Sequence, residues 1–285
     1  MSTISEPRTH RIDSRGLAIE VYEWGDGPDT VILHHGFLDH GRSWDPVAQS
    51  LSERFHVLAV DARGHGSSGW IGDGGYYYFQ DYLPDLRRVI DALARGRVSL
   101  VGHSMGGMVV TLFAGTFTNH VHKLITIEGY GPPDNDFDAA PRRVTDWVSA
   151  MVRFTGERKV MATVEEAAAR MRRRNSRLSE EFSLHLAEHG THPIEGGVTW
   201  AWDPLHRLTG PQPFYLAQAQ AIWAKISCPA LSIRGAESNF NIPGLVEREN
   251  FSPEIVVIPD AGHMVHHDQP RLLSEAISNF LGRSA

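Results

Sequence analysis

The pentapeptide Gly102-His103-Ser104-Met105-Gly106 fits the pattern G-x-S-x-G, and its setting constrains this chain more than any other feature. The pattern alone is weak: at average Gly and Ser frequencies roughly one chain in ten of this length carries it by chance. Its flanks make it informative. Val98–Val101 reads as a buried strand and Met105–Phe117 as a helix. A serine between them sits on a sharp strand-to-helix turn. Such a turn puts the serine in an unfavourable backbone conformation, and small neighbours relieve the crowding. It also lifts the hydroxyl above the carboxyl ends of the strands, where open α/β sheets bind ligands.

The rest of the chain has the alternation that a mostly parallel sheet flanked by helices requires. Thr30–Leu33, His56–Val60 and Lys123–Ile127 read as strands. Gln80–Leu93 places Tyr82, Leu83, Leu86, Val89, Ile90 and Leu93 on one helical side. Gly131-Pro132-Pro133 then breaks the pattern. Helical segments follow at Val144–Phe154, Val164–Arg174, Ser179–Glu188 and Phe214–Ala224, with no clear strand among them. Alternation resumes with Ala230–Arg234 and Glu254–Ile258, and a closing helix spans Arg271–Leu281. Asp268 is placed to cap that helix and Pro270 suits its first turn. The expected organisation is an α/β core of residues 1–132 and 226–285, interrupted by a helical insert at 133–225.

The 285 residues are 41% apolar and 21% charged, enough to bury a core without disulfides, and the single Cys228 cannot form an internal bridge. The net charge of −7 argues against a nucleic-acid partner. No stretch is long and apolar enough to span a membrane, and the polar Met1–His10 lacks the apolar region of a secretory signal. A cytoplasmic protein is the expectation. The basic run Arg170, Arg172, Arg173, Arg174 and Arg177 is bracketed by Glu165, Glu166, Glu180 and Glu181 and reads as a solvated helix face.

A serine hydroxyl is barely ionised at neutral pH, so as a nucleophile it needs a base. Position selects one of 16 histidines: His263 follows the last strand, in the loop Pro259-Asp260-Ala261-Gly262-His263. Acyl transfer also needs donors for the oxyanion. The Met105 N–H is one candidate. The Phe37 N–H, in His34-His35-Gly36-Phe37-Leu38, is the other. Trp200, Trp202, Phe214, Tyr215 and Trp223 cluster late in the insert. Most are expected to pack, with Trp200, Trp202, Phe214 and Tyr215 the candidates for an apolar substrate pocket. Tyr76-Tyr77-Tyr78-Phe79 either joins its rim or packs under a loop. His185, His189 and His192 have helical spacing, but Gly190 and Pro193 end the helix there and no carboxylate or cysteine completes a set, so neither metal nor cofactor is expected.

His35-Gly36-Phe37, Asp61-Ala62-Arg63-Gly64-His65-Gly66-Ser67-Ser68, Gly102 to Gly107 and Gly262-His263 together resemble the α/β-hydrolase superfamily over nearly the whole chain. The resemblance implies an α/β-hydrolase fold, a cap formed by the insert, and a structural role for Asp61 and Arg63–Ser68. Ser104 disfavours the aspartate- and cysteine-nucleophile branches. One departure concerns the triad acid. Most members place an Asp three residues after the glycine that ends the strand Ser232–Gly235, where this chain has Ser238. Glu237 is the local alternative. Glu128, directly after the strand Leu124–Ile127, is favoured: one dehalogenase branch and zearalenone-type lactonases look similar, and a buried carboxylate there would need a partner such as the imidazole. The expected activity is a serine hydrolase that cleaves a small apolar or aromatic ester or lactone through an acyl-enzyme. C–C bond hydrolysis, amide hydrolysis and acyl transfer can use the same groups, and a ligand receptor on a hydrolase scaffold is the non-enzymatic alternative.

Overall fold

The apolar runs that mark strands in the sequence form the parallel part of one sheet. A computed structural model describes residues 6–129, 131–240 and 248–283. Its strands are β1 (Arg8–Ser14), β2 (Leu17–Trp24), β3 (Thr30–His34), β4 (His56–Val60), β5 (Val98–His103), β6 (Lys123–Ile127), β7 (Thr191–Ile194), β8 (Gly197–Trp200), β9 (Ala230–Gly235) and β10 (Glu254–Ile258). Its principal helices are α1 (Asp45–Leu51), α2 (Tyr82–Leu93), α3 (Met105–Thr116), α4 (Ala140–Arg153), α5 (Val164–Arg174), α6 (Glu180–His189), α7 (Leu216–Trp223) and α8 (Pro270–Leu281). The large sheet runs β1-β2-β4-β3-β5-β6-β9-β10. β1 and β2 pair antiparallel, as do β2 and β4, and every later neighbour is parallel.

Every residue of β3, β4, β5 and β6 is buried, because helices cover both faces of the parallel part. One face packs Trp44, Val47 and Leu51 against Leu273, Ile277 and Phe280 of α8. The other packs Leu86, Val89 and Ile90 of α2 with Val109, Val110 and Phe113 of α3. Register then sets the site. His34 at the end of β3 lies opposite Gly102, and Ile127 at the end of β6 lies opposite His103. The three segments that leave these strands, starting at His35, Ser104 and Glu128, therefore emerge side by side.

The insert departs from its all-helical expectation. Thr191–Ile194 and Gly197–Trp200 form an antiparallel hairpin, with Gly196 at positive φ in the turn and Gly197 at positive φ where the second strand opens. Around it, α5 starts at Thr163, whose hydroxyl accepts from Glu166 N–H, and α6 starts at Ser179, which accepts from Phe182 N–H. Glu165 and Glu166 lie in the first turn of α5 and Arg172–Arg174 in its last, complementing the helix dipole. Although counted with the insert by sequence, α7 packs on α3 through Met108, Ala219 and Trp223. Asp268 does not cap α8, whose N-cap is Gln269. Its carboxylate instead accepts from Gly262 N–H at 2.8 Å and Asn175 Nδ2 at 2.6 Å, tying the loop before His263 to the insert. Among the described residues no helix is long and apolar enough to cross a membrane.

The antiparallel ribbon at the sheet's edge is pinned by Glu23 on β2. Its carboxylate accepts from Arg8 at 2.8 Å, His10 at 2.5 Å, His56 at 2.9 Å and Arg95 at 2.8 Å. Burial pushes this carboxyl up, but hydrogen bonds from Arg8, His10 and His56 outweigh it and hold it at about 2. A depressed folded-state pKa stabilises above the unfolded value and is lost as pH falls. Wild-type stability is therefore expected to fall between about pH 4.5 and 2, and Glu23→Gln to flatten that segment of the profile. Urea midpoints measured across this range check it: equal slopes for both proteins would contradict the assignment.

Candidate active site

Ser104 adopts φ 50°, ψ −114° between β5 and α3. A non-glycine residue held there carries about 1–3 kcal/mol of strain, so its surroundings must fix it. Its N–H donates to the Ile127 carbonyl at 2.8 Å, and its own carbonyl accepts from Met108 N–H at 3.2 Å. Steric exclusion does the rest. A Cβ on Gly106 would lie 2.2 Å from the His34 carbonyl oxygen, so only glycine lets α3 start against the end of β3. On Gly36 it would lie 2.7 Å from His103 Nδ1 and 3.3 Å from the Ser104 Cβ. The loop that carries Phe37 thus lies directly against the serine.

His35 anchors that loop. Ala62 N–H donates to its Nε2 at 2.9 Å, so the ring proton is on Nδ1 and donates to the Gly36 carbonyl at 2.7 Å. Burial, reinforced by His65 and His34, pushes this imidazole far below its usual range and keeps it neutral. Asp61, expected to be structural, accepts from Gly41 N–H at 2.5 Å, Ser67 N–H at 2.7 Å and Tyr22 Oη at 3.0 Å. Burial nevertheless raises it to about 6, against the pull of those donors. Arg63 bonds Asp85 through two nitrogens at 2.6 and 2.7 Å. These groups shape the loops beside the serine and lie outside its cavity.

That cavity encloses about 780 Å³ and is lined by Ser104, Met105, Phe37, Glu128 and His263. Its remaining wall is mostly aromatic or apolar: Tyr76 to Phe79 and Tyr82 from the core, Leu205, His206, Phe214 and Tyr215 from the insert. Three histidines reach it. His103 donates through Nε2 to the His263 carbonyl at 2.8 Å. His206 is turned to the Arg63 carbonyl at 3.3 Å and stacks on Tyr77 at 3.8 Å, and burial takes it down to about 2. His263 alone of the three has its ring against a carboxylate: its Nδ1 lies 3.4 Å from Glu128 Oε2. Its ring is held between His103 at 4.8 Å and Phe240 at 4.7 Å. With Nδ1–H directed at the carboxylate, the Nε2 lone pair is free to accept a proton.

Glu128 turns out of β6 at φ 53° and is 2% exposed. Gly235 N–H donates to its Oε1 at 2.8 Å, and Ser238 Oγ to its Oε2 at 2.7 Å. Ser238, which this chain has in place of the common aspartate, thus holds the glutamate in place. The alternative acid, Glu237, is half-exposed, pairs with Arg177 and lies outside the cavity lining.

Two of the expected pocket residues are corrected. Trp200 and Trp202 do not line the cavity. The unforeseen hairpin carries Trp200 onto the Met161, Ala167 and Ala168 cluster, and Trp202 bridges to the backbone of His65. Phe214 and Tyr215 do line it, as does the Tyr76–Phe79 segment. The expected lack of a carboxylate near His185 and His189 is also corrected. Asp45 on α1 lies beside both, while His192 turns to the Gly66 carbonyl at 3.0 Å. Arg42 Nε already contacts both Asp45 oxygens, at 3.0 and 2.8 Å, placing a cation at that group. Asp39, His266 and His267 form a second, fully buried group whose donor atoms lie within 4.8 Å of one another. Neither group lines the serine's cavity.

The sequence profile described as alpha/beta hydrolase fold matches residues 29–270. The 2-(acetamidomethylene)succinate hydrolase of Mesorhizobium japonicum is 26% identical, across 96% of this chain and 95% of that protein. Human serine hydrolase-like protein 2 is 28% identical, across 90% of this chain and 88% of its own length. The solved thioesterase domain from the curacin biosynthetic pathway is 28% identical with a TM-score of 0.88, covering 96% of this chain and 100% of that one.

The two candidate acids differ in burial and partner, so their substitutions should differ in effect. Glu128→Gln is expected to lower kcat toward a p-nitrophenyl ester by about 10²–10⁴ with the fold intact, the scale seen when a triad acid loses its charge. Glu237→Gln should cost less than about tenfold, losing only a surface ion pair. Steady-state rates with circular dichroism of both variants decide it, and the reverse ranking would move the acid to the loop after β9.

Proposed function

This chain belongs to the alpha/beta hydrolase family, and on that premise we propose that it is a serine hydrolase cleaving a carboxylic ester or lactone through an acyl-enzyme. One observation carries the reading: a strained serine and a carboxylate-paired histidine open into the same largely aromatic cavity. Ser104 Oγ attacks the substrate carbonyl while His263 Nε2 takes its proton. The carbonyl oxygen gains the negative charge, and the N–H groups of Phe37 and Met105 stabilise it. The tetrahedral adduct then expels the alkoxide, which receives the proton from His263. Water, deprotonated by the same imidazole, releases the acyl group and restores Ser104. Throughout, Glu128 orients His263 and offsets the imidazolium charge.

The insert serves as a cap in this scheme. Leu205, His206, Phe214 and Tyr215 give the cavity an apolar and aromatic wall suited to a small apolar or aromatic acyl or alcohol group. A similar thioesterase domain and a similar 2-(acetamidomethylene)succinate hydrolase support hydrolysis as the reaction class. The single cysteine supports a cytoplasmic setting, since nothing in the chain calls for an internal disulfide.

A fluorophosphonate probe is expected to label the protein once, on Ser104, and Ser104→Ala should abolish both labelling and p-nitrophenyl ester turnover. Peptide mass spectrometry locates the adduct. Equal turnover by wild type and Ser104→Ala, or an adduct on another serine, would end this reading.

A further inference from the structure

The cavity wall contains one arginine, and its environment is incomplete. Arg143 projects from α4, half-buried, and among the described residues no lysine or second arginine lines the cavity. Its acceptors are neutral: Nη2 donates to Asn135 Oδ1 at 2.6 Å and Nη1 to the Gly210 carbonyl at 3.3 Å. Both acceptors are themselves cavity residues. Asn135 is held in turn, its Nδ2 donating to the Phe214 carbonyl at 2.9 Å and the Pro133 carbonyl at 3.2 Å. The guanidinium is therefore oriented by its surroundings without being neutralised.

Nearby carboxylates are engaged elsewhere. Asp134 Oδ1 accepts from Leu216 N–H at 2.9 Å and Asn135 N–H at 2.9 Å. Asp136 accepts from Asp138 N–H at 3.1 Å, and Asp146 pairs with Arg142 at 3.6 Å. Glu128, the cavity's own carboxylate, is bound to Gly235, Ser238 and His263. Among the described residues no ion pair reaches Arg143. A fixed cation in a cleft with low-dielectric aromatic walls focuses its field on whatever enters. A guanidinium with N–H groups to spare matches the two oxygens of a carboxylate.

We propose that Arg143 is an anion anchor and that the substrate is an ester carrying a carboxylate remote from the bond cleaved. The inference rests on the cavity being a hydrolase's substrate site. It narrows the apolar or aromatic ester to one with a charged far end, so the aromatic wall contacts the middle of the molecule while Ser104 attacks its acyl carbon.

Two matched pairs test it. Mono-p-nitrophenyl adipate against p-nitrophenyl hexanoate puts the charge on the acyl side; 4-acetoxybenzoate against its methyl ester puts it on the leaving side. In wild type one charged member should have the lower KM of its pair. In Arg143→Gln the charged-to-neutral ratio of kcat/KM should fall about tenfold to a hundredfold, mainly through KM, the range expected for losing a charged hydrogen bond. Arg143→Lys should recover part of that ratio. A purely structural role would move both members of a pair alike, and an unchanged ratio overturns the proposal. Calorimetric titration with adipate separates this proposal from the hydrolase reading. Adipate binding at least tenfold weaker in Arg143→Gln supports the anchor even if no ester is turned over. Equal binding by both proteins overturns it, and butyl phosphate competing more strongly than adipate overturns the carboxylate assignment.

Discussion

The hydrogen bond from Ser104 N–H to the Ile127 carbonyl joins the elbow to the strand that leads into Glu128. A serine at φ 50° does not hold that conformation by itself. It is held because β5 is clamped between β3 and β6, and because glycines let backbone meet backbone where α3 begins. The same contacts fix the spacing of the three strand ends. Moving α3 outward by the width of a methyl group would displace the serine from the Gly36–Phe37 loop and from the histidine together.

Burial does most of the chemical sorting among the histidines. His34, His35, His65, His103, His206 and His266 are all pushed down by desolvation, so they are neutral hydrogen-bonding parts of the interior. They fix loops: His35 holds Gly36, and His103 holds the backbone of His263. His263 faces the cavity with its side chain partly exposed and its Nδ1 on a carboxylate. The imidazole suited to moving a proton is thus supported by imidazoles that do not.

The insert is tied to the loops at the carboxyl edge by individual polar contacts. His40 reaches the Leu186 carbonyl at 3.0 Å, Tyr77 Oη donates to Asp203 at 2.8 Å, and Tyr76 Oη donates to the Leu208 carbonyl at 2.8 Å. Such contacts fix where the insert sits while leaving a cavity beneath it. The wall of that cavity therefore mixes core residues such as Tyr76 and Tyr82 with insert residues more than a hundred positions later, such as Leu205 and Tyr215.

Elements with local signals were legible from the residues alone. Continuous apolar runs marked β3, β4, β5 and β6 because those strands are buried on both faces. G-x-S-x-G between a strand and a helix marked the elbow, because only small residues fit where α3 meets the strand ends. The ribbon β1–β2 escaped notice, since an edge strand such as Arg8–Ser14 is largely exposed and polar. So did the hairpin β7–β8, with four residues per strand and a proline in the first. Where side chains converge was set by packing. It brought Glu128 to His263 across 135 positions, turned Glu237 toward Arg177, and carried Trp200 and Trp202 away from the cavity. It also brought Asp45 beside His185 and left Arg143 facing the cavity with only neutral partners. Periodicity reports which face of an element is buried, but not what that face is buried against. A site assembled from several strand ends and an insert therefore becomes visible only once the elements have packed.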